Sequence, residues 1–181
     1  MHCRYRTPLS LALLTILSLN ATAQLNADSV KAEIVKDWQR AKAYTAEYLN
    51  TMPADKYSFR ASDSIRNFAQ QMLHLAQANT FLISNGTGVQ KNFGGGTLDQ
   101  RTSAQSKDSV LYFVNASYDH AIDAISKMDV SRFGEKVKFR DFEFSRLSWI
   151  NKAFEHQTHH RGQTTIYIRM AGIKPPNERL F

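Results

Sequence analysis

Cysteine is nearly absent from this sequence: Cys3 is the only one among 181 residues. The rest of the chain therefore has no thiol, which excludes disulfides, cysteine-ligated zinc sites and cysteine nucleophiles. This composition suits an oxidising compartment outside the cytoplasm. Cys3 precedes the first apolar stretch, whereas a lipid-anchoring cysteine would have to follow it, so we expect no membrane anchoring.

Long hydrophobic runs are also missing, apart from one at the N-terminus. The run from Leu9 to Leu19 is too short to span a bilayer comfortably, follows a basic start and precedes the small-residue sequence Ala21-Thr22-Ala23. This order is typical of a secretory signal peptide. We therefore predict a signal peptide over residues 1–23 and one exported, periplasmic domain over residues 24–181.

The charge is scattered rather than concentrated. The formal net charge is +7, from 23 basic and 16 acidic residues, and the only dense basic patch is Lys136-Val137-Lys138-Phe139-Arg140. A nucleic-acid-binding protein would show a basic stripe with interleaved aromatic residues. We interpret the patch as a solvated strand or loop face and expect no nucleic-acid partner.

Apolar residues recur at helical spacing in four segments, separated by cap and stop residues. The predicted helices cover about 29–50, 64–84, 107–128 and 145–171. Between the last two, residues 133–144 alternate weakly, which predicts a short extended linker or hairpin. Four amphipathic helices with three connections indicate an all-α four-helix bundle.

A long loop joins the second and third helices over residues 85–105 and contains Gly94-Gly95-Gly96. Loops of this length in a compact domain tend to be functional or mobile. A phosphate-binding glycine loop would need a following Lys-Ser/Thr pair, but Gly96 is followed by Thr97-Leu98-Asp99. We therefore expect a flexible loop near a pocket mouth.

Three histidines fall within five positions of the last helix, in His156-Gln157-Thr158-His159-His160. Residues four apart on a helix point the same way, so His156 and His160 can present two imidazoles to one metal ion. At about 100° per residue, His159 lies to one side of them. We predict that His156 and His160 belong to an interior stripe, whose members are Trp149, Ala153, His156, His160, Gln163, Tyr167 and Ala171.

From these residues alone, a metal site and a structural histidine pair both remain open, because buried histidines can be satisfied by carbonyls or by each other. An open catalytic site would also need a third ligand. The candidates are His74 on the second helix and His120 on the third. Periodicity displaces His74 from the apolar face of its helix and places His120 on the surface, so it assigns neither as a ligand.

Three stretches of the sequence together form a more specific pattern. They are Leu73-His74-Leu75-Ala76, His156-Gln-Thr-His159-His160-Arg161-Gly162-Gln163, and the C-terminal stretch Tyr167-Ile-Arg169-Met-Ala-Gly172-Ile173-Lys-Pro175-Pro176. This pattern resembles the DinB-like family, whose members are four-helix bundles with a divalent metal site of three histidines. The resemblance implies His74, His156 and His160 as the metal ligands. Zinc or nickel is the favoured ion, and manganese or iron is compatible with imidazole ligands.

The resemblance also implies a function class. Relatives in this superfamily include thiol-dependent transferases and isomerases, and three imidazoles leave a coordination position open for water or substrate. We therefore expect a metal-dependent enzyme, a hydrolase or thiol-dependent transferase, that acts on an unidentified small-molecule substrate. A periplasmic location mildly favours hydrolysis. The alternative is a non-catalytic bundle in which the ion staples the helices together.

Several polar side chains are candidates to support such a site. Ligating imidazoles usually donate their other N–H to a partner, and His159, Gln163, Tyr167 or Asn79 could orient ligands or substrate. No acidic residue is convincingly placed as a general base, so the catalytic residues stay unassigned. Members of the family often form dimers through helix packing, and a homodimer is a further expectation from the resemblance.

Overall fold

Four long helices form the bundle that the sequence predicts. A computed structural model describes residues 9–181, with side chains from residue 27 onward. The helices are α1 (Leu9–Thr51), α2 (Phe68–Thr87), α3 (Lys107–Ser126) and α4 (Arg146–Met170). The expected all-α fold is confirmed. The predicted signal peptide falls outside the residues whose side chains are described and stays a prediction.

The connections contain a hairpin and several short turns. Strands β1 (Lys136–Phe139) and β2 (Phe142–Ser145) pair antiparallel, with Lys136 opposite Ser145. The indole N–H of Trp149 donates to the carbonyl of Val137 at 3.1 Å, which ties the hairpin to α4. Four 3-10 turns complete the described connections: Ala54–Lys56, Leu98–Gln100, Thr102–Ala104 and Val130–Arg132.

The second helix begins at Phe68 rather than near Ser64, because Asn67 and Gln70 form a capping box. The Asn67 side chain accepts from the backbone N–H of Gln70 at 2.7 Å, and the Gln70 side chain accepts from the backbone N–H of Asn67 at 3.0 Å. This reciprocal pair satisfies two helix-end donors at once. It also leaves Arg66 just outside the helix, next to the candidate site.

The other helix ends follow local signals with one exception. The first helix begins at Leu9, so the predicted start near Ser29 is wrong and that residue lies inside a continuous helix. The last helix begins directly after Ser145, whose side chain caps it, and left-handed Gly172 (φ 80°) follows its end. Among the described residues, no helix is both long and apolar enough to cross a membrane.

Aromatic side chains join three of the helices in the core. The buried indole of Trp38 in α1 contacts Tyr118 in α3 and Phe154 in α4 edge-on, with ring centroids 5.6 Å apart in both pairs. Burial of a large apolar side chain of this kind stabilises a fold by roughly 1.5–3 kcal/mol. The core therefore fixes the positions of α3 and α4 relative to α1.

Helices α2 and α4 approach each other closely at Gly86. A Cβ atom on this residue would lie 2.8 Å from Cγ1 of Ile150 and 3.2 Å from the carbonyl oxygen of Arg146. A larger side chain would have to push the helices apart. This contact holds together the two helices that carry the candidate histidines.

Candidate metal centre

His74 of α2 meets His156 and His160 of α4 between the two helices. The ring centroids are 5.2 Å apart for His74 and His156, 4.7 Å for His74 and His160, and 4.3 Å for His156 and His160. One nitrogen from each ring lies within 4.8 Å of the other two. The structure thus brings together the three residues that the family resemblance implies as ligands. That they bind a metal stays a prediction.

The spacing of the α4 pair suits a single ion. His156 and His160 are one helical turn apart, and their Nε2 atoms are separated by 3.1 Å. Two nitrogens bound tetrahedrally at about 2.0–2.1 Å from zinc would lie about 3.3 Å apart. The observed separation is therefore close to that of two ligands on one metal ion.

The Nε2 atoms of this pair are within hydrogen-bond distance, and which ring donates depends on the tautomers. Nδ1 of His156 and Nδ1 of His160 are buried and have no hydrogen-bond partner among the described residues. In a ring protonated at Nδ1, the Nε2 lone pair is free. Two such lone pairs facing each other repel unless a proton or cation lies between them. The residues present therefore fit a divalent ion of the kind that imidazole binds.

Burial keeps the three imidazoles neutral. It is the main cause that lowers the pKa of His156 to about 4 and the pKa of His160 to about 3, with smaller contributions from neighbouring imidazoles and from Arg66. Burial also lowers the pKa of His74, and Arg66 adds to this effect. Because neutral imidazole is the form that binds metals, the group can accept a cation without first losing protons near neutral pH.

An open cleft of about 710 Å³ reaches the histidines at His160. It contains one arginine, and no Asp or Glu is among the described residues that line it, so no carboxylate is in place there as a general base. The lining residues are Ala61, Ser64, Ile65, Arg66, Gln71, Gln100, His159, His160, Gln163, Ile166 and Tyr167.

A buried carboxylate fixes the arginine of the cleft. Nε of Arg66 donates to Oδ2 of Asp99 at 2.7 Å, and the side chains are 40% and 1% exposed. Asp99 belongs to the long α2–α3 connection, which is held against α2 by a hydrogen bond from the backbone N–H of Leu98 to Oε1 of Gln77 at 2.8 Å. The loop predicted to be flexible is thus fastened beside the cleft, and its triple-glycine segment borders a separate cavity of about 340 Å³.

His159 ends a chain of hydrogen-bonded glutamines beside the three-histidine group. The side-chain amide of Gln71 donates to Oε1 of Gln163, whose own amide donates to Nε2 of His159 at 2.9 Å. Because Nε2 accepts this bond, Nδ1 carries the ring proton. The ring centroid of His159 lies 5.0 Å from that of His160, in the flanking position that the helix projection indicates.

The buried face of α4 is rotated from the predicted stripe. Gln163 is exposed, so its predicted interior position is wrong, whereas Gln157, Arg161 and Thr164 are buried. Oε1 of Gln157 accepts from Nη1 of Arg161 and from the hydroxyl of Tyr118, both at 2.8 Å. These bonds satisfy polar groups in the interior, which a pattern of apolar residues does not reveal.

Two other predicted supporting residues lie in different places. Asn79 is buried and donates to Oγ of Ser117 at 3.3 Å, and it does not line the cleft. Tyr167 does line the cleft, and its hydroxyl donates to the carbonyl of Arg66 at 2.7 Å. His120 is half-buried rather than on the surface, with Nε2 buried and unpartnered among the described residues, but it is not part of the three-histidine group.

Arg66, Gln71 and Asp99 were not among the site residues predicted from the sequence. The pattern Asn67-x-x-Gln70 is a capping-box signal that would have placed the first two at the start of α2. Nothing local links Asp99 to Arg66, because the two are 33 positions apart.

Comparison with known proteins gives the same fold. The sequence model of the DinB family matches residues 23–179. A DinB-like protein from Bacillus cereus ATCC 10987 is 20% identical with a TM-score of 0.68, over 80% of this chain and 95% of that chain. A DinB-like protein from Bacillus subtilis is 15% identical with a TM-score of 0.64, over 82% and 96%. No curated protein matches the sequence significantly.

Proposed function

Because the chain belongs to the DinB family, we propose that it is a metal-dependent enzyme, a hydrolase or thiol-dependent transferase, in which His74, His156 and His160 hold a divalent ion. The observation that carries this proposal is the position of His160. This residue belongs to the three-histidine group and also lines the open cleft. An ion at that position would be accessible to a small molecule from solution.

The chain's own residues would orient the substrate around such an ion. Three neutral imidazoles leave at least one coordination position open, and zinc or nickel there would supply Lewis acidity to polarise a carbonyl or to activate water or a thiol. Gln163 accepts from Gln71 and donates to His159, which fixes the tautomer of that ring. The Nδ1–H of His159 is then left to donate to a polar group of the substrate.

A purely structural ion is the competing possibility. A staple is most useful where helices would otherwise separate. Helices α2 and α4 already pack tightly at Gly86 and Ile150, and Gln71 and Gln163 link them by a hydrogen bond. Together with the cleft at His160, these contacts favour catalysis over a staple.

We also propose export, on the N-terminal pattern of residues 1–23. A periplasmic location would separate the protein from cytosolic thiols, and it therefore favours hydrolysis over thiol transfer.

The experiment compares zinc-loaded and chelator-treated protein on a panel of esters and amides and on a panel of electrophiles with a small thiol. We expect turnover on one panel by the zinc-loaded wild type and by His120→Ala, a matched histidine change outside the group. Chelation or His160→Ala should abolish it. Zinc-loaded protein without turnover on either panel would contradict the enzyme and favour the structural ion.

A further inference from the structure

One positive charge lines the cleft beside the three-histidine group. Arg66 is the only Arg, Lys, Asp or Glu among the described residues that border it. Ile65 and Ile166 contribute apolar side chains to the cleft lining, and Gln100 contributes an uncharged polar side chain. An anionic ligand would therefore find a single cationic side chain on the cleft lining, and Asp99, the carboxylate bonded to that side chain, is buried and does not line the cleft.

The guanidinium of Arg66 is held at one nitrogen and free at the other two. Its Nε donates to Oδ2 of Asp99 at 2.7 Å, and no acceptor among the described residues bonds to Nη1 or Nη2. Asp99 is buried, whereas the Arg66 side chain is 40% exposed. The buried carboxylate of Asp99 thus orients the planar guanidinium of Arg66, whose terminal N–H groups remain available to a ligand. Such a group binds carboxylates through two parallel hydrogen bonds.

Arg66 and His160 border the same cleft. One small molecule can therefore contact both.

We propose that the cleft binds a small molecule that carries a carboxylate, with this group on the terminal nitrogens of Arg66 and an apolar portion against Ile65 and Ile166. The reacting group of the molecule then points toward the three histidines. The placement of the reacting group rests on the proposed function. The carboxylate site does not, because it requires only Arg66 and the carboxylate of Asp99 that orients it.

The test uses hexanoate as the probe and hexan-1-ol as its uncharged counterpart, titrated by NMR into the full chain with and without zinc. In the zinc-free preparation, where no metal can bind the carboxylate, hexanoate should bind at least about tenfold more tightly than hexan-1-ol, because a charge-assisted bidentate pair is stronger than a neutral hydrogen bond. Inorganic phosphate is the competing anion. Tighter binding of phosphate than of hexanoate would overturn the carboxylate assignment.

The informative variant is Arg66→Gln/Asp99→Asn, which removes both charges and so leaves no buried carboxylate unpaired. We expect it to weaken hexanoate binding about tenfold and to leave hexan-1-ol binding unchanged. Arg169→Gln removes an exposed arginine of α4 outside the cleft and should change neither affinity. If the double variant does not fold, we expect the same two results from Arg66→Gln alone.

The outcomes separate the two proposals. Hexanoate affinity that is equal in the wild type and in the Arg66 variant overturns the carboxylate site, even if the histidines bind zinc. A wild type that binds no zinc but keeps Arg66-dependent hexanoate binding refutes the metal-dependent enzyme and leaves the carboxylate site standing.

Discussion

His156 and His160 face each other with their Nε2 atoms 3.1 Å apart. Both rings are neutral because burial lowers their pKa, and His74 completes the group from the neighbouring helix. A divalent ion that binds the folded group but not the unfolded chain stabilises the fold, so metal-loaded protein should unfold at a higher temperature than chelator-treated protein.

Acidification should destabilise the metal-free protein. An unfolded histidine gains a proton near its ordinary pKa of 6.5, whereas folded His156 and His160 gain theirs only near pH 4 and pH 3. The unfolded state therefore binds more protons over this interval, and stability falls as the pH falls below about 6.5. Urea unfolding near pH 7 and near pH 5 measures the difference. His156→Asn/His160→Asn should remove most of it, and an unchanged difference would contradict the assignment of neutral buried rings.

Two glycines of the histidine-bearing helices should respond to substitution in opposite directions. Gly86→Val should cost about 1–3 kcal/mol, because its side chain would meet Ile150 and backbone atoms of α4. Gly162→Ala should stabilise the protein by about 0.5–1 kcal/mol, because this helical glycine has no atom within 4 Å of an added Cβ. Urea unfolding of both variants checks the pair. A Gly86→Val protein as stable as the wild type would show that α2 and α4 are not closely packed.

Substitutions of Arg66 and Asp99 should have coupled effects on the free energy of unfolding. Arg66→Ala leaves the buried carboxylate of Asp99 without its partner and should cost about 1–3 kcal/mol, toward the lower end because Arg66 is partly exposed. In an Asp99→Asn background the same change should cost less than about 1 kcal/mol. A double-mutant cycle measures the coupling. Strictly additive costs would mean that the pair contributes no stability.

The N-terminal segment should be removed on export. We expect protein recovered from the periplasm of the native cell to begin at Gln24, because Ala21 and Ala23 form the small-x-small pattern that signal peptidase accepts. Intact-mass measurement determines the first residue. Ala21→Arg/Ala23→Arg should block processing. Wild-type protein that keeps residue 1 and fractionates with the cytoplasm would refute export.

The sequence predicts the bundle and the histidine pair of α4 because both depend on local spacing. Two residues four apart on one helix face the same way wherever that helix packs. The position of His74 required the family resemblance, since the face of α2 that meets α4 is set by long-range packing at Gly86 and Ile150. Helical periodicity in α2 alone could not supply that information.

The buried polar contacts could not be predicted for a related reason. Gln157 and Arg161 are interior because they satisfy each other and Tyr118, so the real face of α4 is rotated away from Gln163. A projection that counts apolar residues treats such side chains as exposed. The same limit applies to Asp99, whose burial depends on a partner far away in the sequence.

Metal content tests the central claim most directly. Protein purified from its native compartment is analysed by mass spectrometry for zinc, nickel, manganese and iron, as the wild type, His160→Ala and His159→Ala. We expect about one ion per chain in the wild type and in His159→Ala, and little or none in His160→Ala, since only the latter removes one of the three ligands. A wild type without metal, or an ion that survives His160→Ala and is lost with His159→Ala, would contradict the three-histidine site.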